Sequence, residues 1–295
     1  GQLGNGSTAN RTTPVVVSGL YNITQISAGG YTSCARRSDG TVWCWGYNPY
    51  GGLGNGTTTQ RTTPSQVSGI TNAVSVEVGL YHTCAILSTG AVNCWGYGPH
   101  GQLGNGSTAN RTTPVAVSGI STATELGAGY YHSCARLSDG TMRCWGYGAH
   151  GQLGNGSTAN RTTPVVVSGM TGAVSVDAHV YTTCSVRTGG EVRCWGYNGS
   201  GQVGNGTTSN QTTPQVAATQ SGGTMCGASA AAPGLEVCNG IDDDCNGVVD
   251  DISPTSCSAG GCTVQGHTAC SGTSTVCVAD QVRPSGYVCR ASAGN

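Results

Sequence analysis

Lysine and phenylalanine are both absent from this sequence, and all twelve basic residues are arginine. Charged residues of either sign make up only 8% of the 295 positions, with a formal net charge of -1. Nucleic-acid backbones are held by clustered cations, and this chain has too few to cluster, so a polyanion partner is excluded. No apolar run approaches the roughly 18 residues of a membrane helix, so no membrane span is expected. The catalytic signatures HExxH and GxSxG are missing, as are a phosphate-binding loop and a Cys-x-x-Cys-His haem site. What the chain has in excess is glycine, at 50 residues, and cysteine, at 16. An even and large set of thiols belongs in an oxidising compartment, because the cytosol would keep them reduced. A secreted, extracellular or cell-surface protein is therefore expected. The chain opens on Gly1 rather than methionine, so any secretion signal is expected to have been removed or to lie outside this sequence.

The glycines fall on a ruler. GQLGNG at 1–6 returns as GGLGNG at 51–56, GQLGNG at 101–106 and 151–156, and GQVGNG at 201–206. Residues 1–15, 101–115 and 151–165 are identical letter for letter. Repetition at a fixed period of this length marks a repeat architecture. Within each unit, short segments rich in β-formers alternate with glycine turns, as in Pro14–Val17, Ile26–Ala28, Thr32–Arg36 and Thr41–Trp45. No 3.6-residue apolar period is sustained. The fold class is therefore all-β, with tandem four-stranded propeller-type blades. The ruler gives four blades at 14–46, 64–96, 114–146 and 164–196. It leaves Gly1–Thr13 and a strand at Pro214–Ala217 unmatched. Three completions follow: a small ring within this chain, a longer protein of which this chain is part, or a neighbouring molecule. An unmatched strand is an exposed edge that recruits other chains, copies of this one included; completion from chain to chain would close a ring or propagate a fibre.

Each unit carries two cysteines around a glycine turn. Between Cys34 and Cys44, Ser38-Asp39-Gly40 reads as a three-residue loop with glycine in its left-handed bulge. Counting outward from a hydrogen-bonded Arg37–Thr41 pair puts the two cysteines on a non-hydrogen-bonded pair, where Cα atoms approach to about 4.5 Å. Cross-strand disulfides are expected at Cys34–Cys44, Cys84–Cys94, Cys134–Cys144 and Cys184–Cys194. Zinc, the rival reading, prefers tetrahedral clusters with closer ligand spacing.

The run Trp45-Gly46-Tyr47-Asn48-Pro49-Tyr50-Gly51-Gly52-Leu53-Gly54 returns at 95–104, 145–154 and 195–204, with an upstream Gly-x-x-His at His82 and His132 and threonine at the equivalent Thr32 and Thr182. This pattern resembles the regulator of chromosome condensation repeat over about 1–218. The resemblance implies a β-propeller, usually of seven blades, that serves as a binding platform. The family's best-known member exchanges nucleotide on a small GTPase and contacts chromatin, and secreted relatives include a β-lactamase inhibitor. The cysteines and the missing lysine argue against the nuclear role.

Variation concentrates at two loop columns. Residues 48–50 and their equivalents read NPY, GPH, GAH and NGS; residues 29–32 and theirs read GGYT, GLYH, GYYH and HVYT. Loop-tip variation on a repeated scaffold diversifies a binding face, although tolerant loops also drift. The candidates on that face are Tyr31, Tyr50, His82, His100, His132 and His150. A histidine column could hold a metal, but no paired carboxylates stand beside these residues, and solvated loop histidines are the simpler reading. Near-identical repeats supply like groups many times over, and catalysis needs unlike groups together, so a non-enzymatic protein is expected.

After a Gly/Ser/Ala-rich linker at 219–234, a module at 235–295 opens with EVCNGIDDDCNGVVDD. Asp242, Asp244, Asn246, Val248 (through its carbonyl) and Asp250, with neighbouring Asp251, follow the ligand order of a calcium loop, and Gly247 permits the turn. Ser253 stands where an EF-hand would place its final glutamate. The segment resembles helix-free thrombospondin type 3 repeats and, more closely, the MopE-type Cys-Asn-Gly-x-Asp-Asp-Asp-Cys metal-binding motif of bacterial surface proteins. That resemblance implies a bacterial surface protein, with copper as the metal in some members. Hard carboxylate oxygens suit Ca²⁺ better. A Cys238–Cys245 disulfide would hold these carboxylates together. The other tail cysteines staple a piece too short and polar for its own core, and no organic cofactor is implied. Eleven Asn-x-Ser/Thr sequons, from Asn5 to Asn210, are turn residues that a glycosylating host would modify. Three functions follow: a disulfide- and calcium-stabilised surface interaction or structural protein, a secreted inhibitor or lectin-like binder with a protein or glycan ligand, or a metal-binding surface protein.

Overall fold

A computed structural model describes residues 1–217 and four short strands farther on, and divides the chain into two compact units at Ala217/Ala218. The first unit is all β. Its sixteen strands form four antiparallel sheets of four, each in simple meander order. Blade 1 holds β1 (Ile23–Ala28), β2 (Thr32–Arg37), β3 (Val42–Gly46) and β4 (Arg61–Gln66). Blade 2 holds β5 (Ala73–Val78), β6 (His82–Leu87), β7 (Val92–Gly96) and β8 (Arg111–Ala116). Blade 3 holds β9 (Ala123–Ala128), β10 (His132–Leu137), β11 (Met142–Gly146) and β12 (Arg161–Val166). Blade 4 holds β13 (Asp177–His179), β14 (Thr182–Val186), β15 (Val192–Gly196) and β16 (Gln211–Val216). The leading strands β1, β5, β9 and β13 neighbour one another from blade to blade and form the inner side of the array. In the second unit, β17 (Cys257–Ala259) pairs with β18 (Cys262–Val264), and β19 (Gly266–Ser271) with β20 (Ser274–Ala279).

The blade boundaries differ from those the ruler gives. The Thr-Thr-Pro strand closes the preceding blade instead of opening the next. β4 pairs with β3 through Cys44↔Ser65 and Gly46↔Arg61, and the Ser65 hydroxyl donates to the Cys44 carbonyl at 3.0 Å. Its proline lacks an N–H, which an outermost strand tolerates. The intervening loop is long but internally fastened: the Asn48 amide donates to the Thr57 and Thr59 carbonyls, and its oxygen accepts from the Leu53 N–H. The strand at Pro214 is therefore matched, as part of β16. Residues 14–17 are the unmatched piece; they form no strand among the described residues, and Val16 lies open to solvent.

The hairpins are stapled at all four positions. Cys34 faces Cys44 in a register that runs from Thr32↔Gly46 to Arg36↔Val42, and the bridged Cα atoms lie 4.1 Å apart in each pair. Asp39 sets the turn by accepting from the Thr41 N–H at 2.9 Å, and Gly40 takes φ 80°.

The hydrophobic core is divided into three clusters, and each lies between two blades. Val42 and Leu53 of blade 1 pack with Val76 and Trp95 of blade 2; Val92 and Leu103 pack with Leu126 and Trp145; Met142 and Leu153 pack with Val176 and Trp195. A polar clasp crosses each interface. The Gln102 carbonyl, in the blade 2 loop, accepts the Trp145 indole N–H at 2.9 Å and the Ser133 hydroxyl at 3.0 Å, both from blade 3. Gly52 with Trp95 and Thr83, and Gln152 with Trp195 and Thr183, repeat the arrangement. Gln2 does the same with Trp45 and Ser33, so residues 1–6 sit on blade 1 as each later loop sits on its successor.

The indole also explains a glycine. Gly104 has φ 67°, and a Cβ there would meet the Trp145 indole nitrogen at 2.8 Å. Gly119 has the same φ but nothing within 4 Å. Gly104→Ala should therefore destabilise by about 2–4 kcal/mol and Gly119→Ala by about 1 kcal/mol. Urea denaturation of the two variants would test this, and equal losses would remove the role given to the clasp.

Candidate binding face

The loops joining the first strand of each blade to the second, and the third to the fourth, emerge on the same side. Each contributes a tyrosine at a fixed place. Tyr31, Tyr81, Tyr131 and Tyr181 precede the second strands, and Tyr47, Tyr97, Tyr147 and Tyr197 follow the third. The loop turn repeats the geometry because the N–H of the later tyrosine donates to the carbonyl of the earlier one, as from Tyr47 to Tyr31 at 2.9 Å. A third column holds Tyr50, His100 and His150.

These rings meet across blade boundaries. Tyr31 stacks on Tyr81 at 5.3 Å between centroids, Tyr50 bridges Tyr81 and Tyr97, and His100 bridges Tyr97, Tyr131 and Tyr147. His150 continues the chain to Tyr181 at 5.0 Å and Tyr197 at 5.2 Å. With Tyr130 and His179, ten of the twelve tyrosines and three histidines form one continuous aromatic ridge across four blades. Tyr31 and Tyr47 are exposed, and the remaining ridge tyrosines are half-buried. Edge-to-face and offset contacts of this kind hold rings in place while leaving faces and hydroxyls available. Burial, and after it the neighbouring phenols, push the Tyr81, Tyr131 and Tyr181 phenols up. Arg and Asp/Glu are absent from 29–31, 47–52 and their equivalents, so the ridge offers rings and hydroxyls rather than formal charge.

Of the expected face residues, Tyr31, Tyr50, His100 and His150 join this ridge. His82 and His132 do not. Both are 0% exposed and lie between blades. His82 Nε2 is 2.9 Å from the Ser133 hydroxyl, and His132 Nε2 is 2.9 Å from the Thr183 hydroxyl. Each hydroxyl already donates to a loop carbonyl, so it accepts from the imidazole, which is protonated on Nε2. The histidines thus extend the clasps. Their loop position suggested solvent, but the neighbouring blade covers it. Among the described residues, no group of three or more His, Cys, Asp or Glu side chains is arranged to hold a metal ion. The calcium-loop residues 242–251 and the Cys238–Cys245 pair lie outside the described residues.

Tyr47, Tyr81, Tyr97, Tyr131, Tyr147, Tyr181 and Tyr197 are not among the residues that loop variation singles out; their signal in the sequence is the invariance of two columns across all four repeats.

Residues 1–36, 39–86, 89–136 and 139–186 match the family described as Regulator of chromosome condensation (RCC1) repeat, and 23–51, 73–102, 123–152 and 174–202 match a second family of the same description. The chain belongs to the RCC1-repeat family. No curated protein sequence matches it. Among solved structures, it is similar to Saccharomyces cerevisiae Prp20p, in work describing binding of that protein to Gsp1p and histones. The TM-score is 0.63 at 20% identity, over 70% of this chain and 52% of the other. Yeast RCC1 (Prp20) bound to Kap60 gives 0.62 at 20% identity, over 68% and 50%. Human WBSCR16 gives 0.60 at 20% identity, over 67% and 53%. The chain thus spans about half the length of these relatives. At such identity they establish the propeller-type RCC1 fold alone.

The buried histidines of the RCC1 array carry a pH signature. Burial pushes the His82 imidazole down to about 4 and that of His132 to about 3. An unfolded histidine titrates near 6.5, so the stability tied to neutral imidazole is complete above that pH. It is lost as pH falls from about 6.5 toward about 4 for His82 and about 3 for His132, on the order of 3 kcal/mol for the first and of 5 kcal/mol for the second. Glu77, raised by burial, works in the opposite direction: the cost of burying its charge at neutral pH is relieved as pH falls through its raised value toward the ordinary carboxylate range. Chemical denaturation between pH 7 and pH 4 should show a fall that His82→Asn and His132→Asn variants reduce. An unchanged slope in both variants would contradict the buried neutral assignment.

Proposed function

We propose that this chain is a non-catalytic binding protein of the extracellular space or cell surface, whose tyrosine ridge engages protein partners. The ridge carries the reading. Tyrosine gives a large, stiff, amphipathic contact at small entropic cost, and it dominates the energetic centres of protein interfaces. Ten tyrosines gathered on one side of a disulfide-stapled scaffold form such a surface. The constant columns supply contact area; residues 30, 80, 130 and 180 (Gly, Leu, Tyr and Val) and residues 50, 100, 150 and 200 (Tyr, His, His and Ser) vary around them. Four disulfides in the propeller unit support an oxidising location.

Affinity capture from the producing organism's culture medium and surface extract tests this. Purified wild-type protein should retain partners that a Tyr47→Ser/Tyr97→Ser double variant loses by at least about tenfold, the loss expected for a central aromatic pair. An Asn72→Ala/Thr122→Ala variant, altered in the turns opposite, should keep them. An identical set on all three proteins would set the ridge aside.

For the second unit, we propose one weak calcium site at residues 242–250, supported by ligand spacing. Calorimetry should give a Kd on the order of 10⁻⁴ to 10⁻³ M that Asp242→Asn/Asp244→Asn abolishes. Heat unchanged by that variant would overturn the site.

A further inference from the structure

Blade 4 departs from its siblings at the position where its loop begins. Gly29 packs against the next blade so closely that a Cβ would run into the Gly79 carbonyl oxygen, and Gly79 stands in the same relation to the Gly129 carbonyl. In blade 4 that position is His179. A blade packed on this face as blade 2 packs on blade 1 would collide with the imidazole. The residue beside it, Val180, has φ 47°, a left-handed conformation that a β-branched side chain rarely adopts. The Val180 carbonyl accepts from the Tyr130 N–H at 3.0 Å, which holds the loop in that shape. Strain maintained at one member of a repeat points to use of that member.

His179 and Val180 line a cleft of about 630 Å³ at the end of the aromatic ridge, a volume within the range of binding pockets. Its lining includes the rings of His150, His179, Tyr181 and Tyr197, with Asp177 and Gln202 as polar partners, and it contains no arginine. Ring faces carry negative potential, and Asp177 adds a formal negative charge. Burial raises the Glu77 carboxyl, and the negative charges of Asp177 and Glu125 add to that rise. Glu125 is partnered by Arg136 at 3.1 Å; Asp177 takes part in no salt bridge among the described residues. A cavity with aromatic walls and an unmatched carboxylate favours a cation over an anion or a neutral group.

We infer that this cleft receives the arginine or lysine side chain of a partner polypeptide, with its cation over the Tyr181 and Tyr197 rings and directed at Asp177. This deepens the proposed function and rests on the ridge as a protein-binding surface, to which the cleft adds selectivity for a basic residue.

The test uses the full chain, isotopically labelled, and two peptides: acetyl-Gly-Ser-Arg-Ser-Gly-amide and its counterpart with citrulline in place of arginine. The arginine peptide should shift the Tyr181, Thr182 and Tyr197 amide resonances saturably. The citrulline peptide, equal in shape but uncharged, should bind at least about fivefold more weakly, as should the arginine peptide to Asp177→Asn. Equal affinity for both peptides would overturn the inference, as would indifference to Asp177→Asn or a saturable response to a neutral oligosaccharide alone. No saturable shift with either peptide would also overturn it. The Tyr47→Ser/Tyr97→Ser variant separates the two readings, since those rings lie away from the cleft. Lost capture of partners with an unresponsive cleft removes this inference alone; arginine binding with capture insensitive to the ridge removes the ridge alone.

Discussion

A single backbone carbonyl, repeated at Gln2, Gly52, Gln102 and Gln152, fastens the leading segment to blade 1 and then each blade to the next. It accepts an indole N–H and a hydroxyl from the following blade, and both of its lone pairs are thereby used. The surrounding hydrophobic clusters are built from two blades each, so no blade owns a complete core. Stability in such an array is a sum over neighbour interfaces rather than over isolated sheets. The low charge content fits this economy: apolar contact and satisfied hydrogen bonds hold the interfaces, and the three salt bridges among the described residues join neighbours within single blades.

The same stacking explains how the binding face arises. A period of fifty residues places each tyrosine beside its own counterpart in the next blade, so two columns in the sequence become a continuous band of rings. The disulfides hold each hairpin's register, and that register fixes where the flanking loops emerge. Function here is a surface property produced by repetition, and blade 4 modifies it locally by exchanging glycine for His179.

What could be read from the sequence was local. Asp39 and Gly40 determine the hairpin turn by short-range chemistry, and from that turn the facing of Cys34 and Cys44 follows by counting. The strand partner of Thr-Thr-Pro was not legible, because it depends on a long loop held by asparagine side-chain hydrogen bonds, those of Asn48 in blade 1 and of Asn110 and Asn160 in blades 2 and 3, that no periodicity reveals. Nor was the burial of His82 and His132. A polar residue in a glycine-rich loop reads as solvated, and only the neighbouring blade, with Ser133 or Thr183 placed opposite, turns it into an interior group. The ridge lay in plain letters as Trp-Gly-Tyr, but a linear reading gives no reason to set tyrosines fifty residues apart side by side.

Hydrogen exchange at the tryptophan indoles tests the clasp most directly. Trp95, Trp145 and Trp195 are fully buried and donate to loop carbonyls, whereas the partly exposed Trp43 indole reaches only the Thr41 hydroxyl just before its own strand. Two-dimensional NMR in deuterated buffer should show the three clasp indoles exchanging only through cooperative unfolding, with Trp43 exchanging far sooner. Rapid loss of all four signals, at conditions where the β-sheet amides remain protected, would contradict the account.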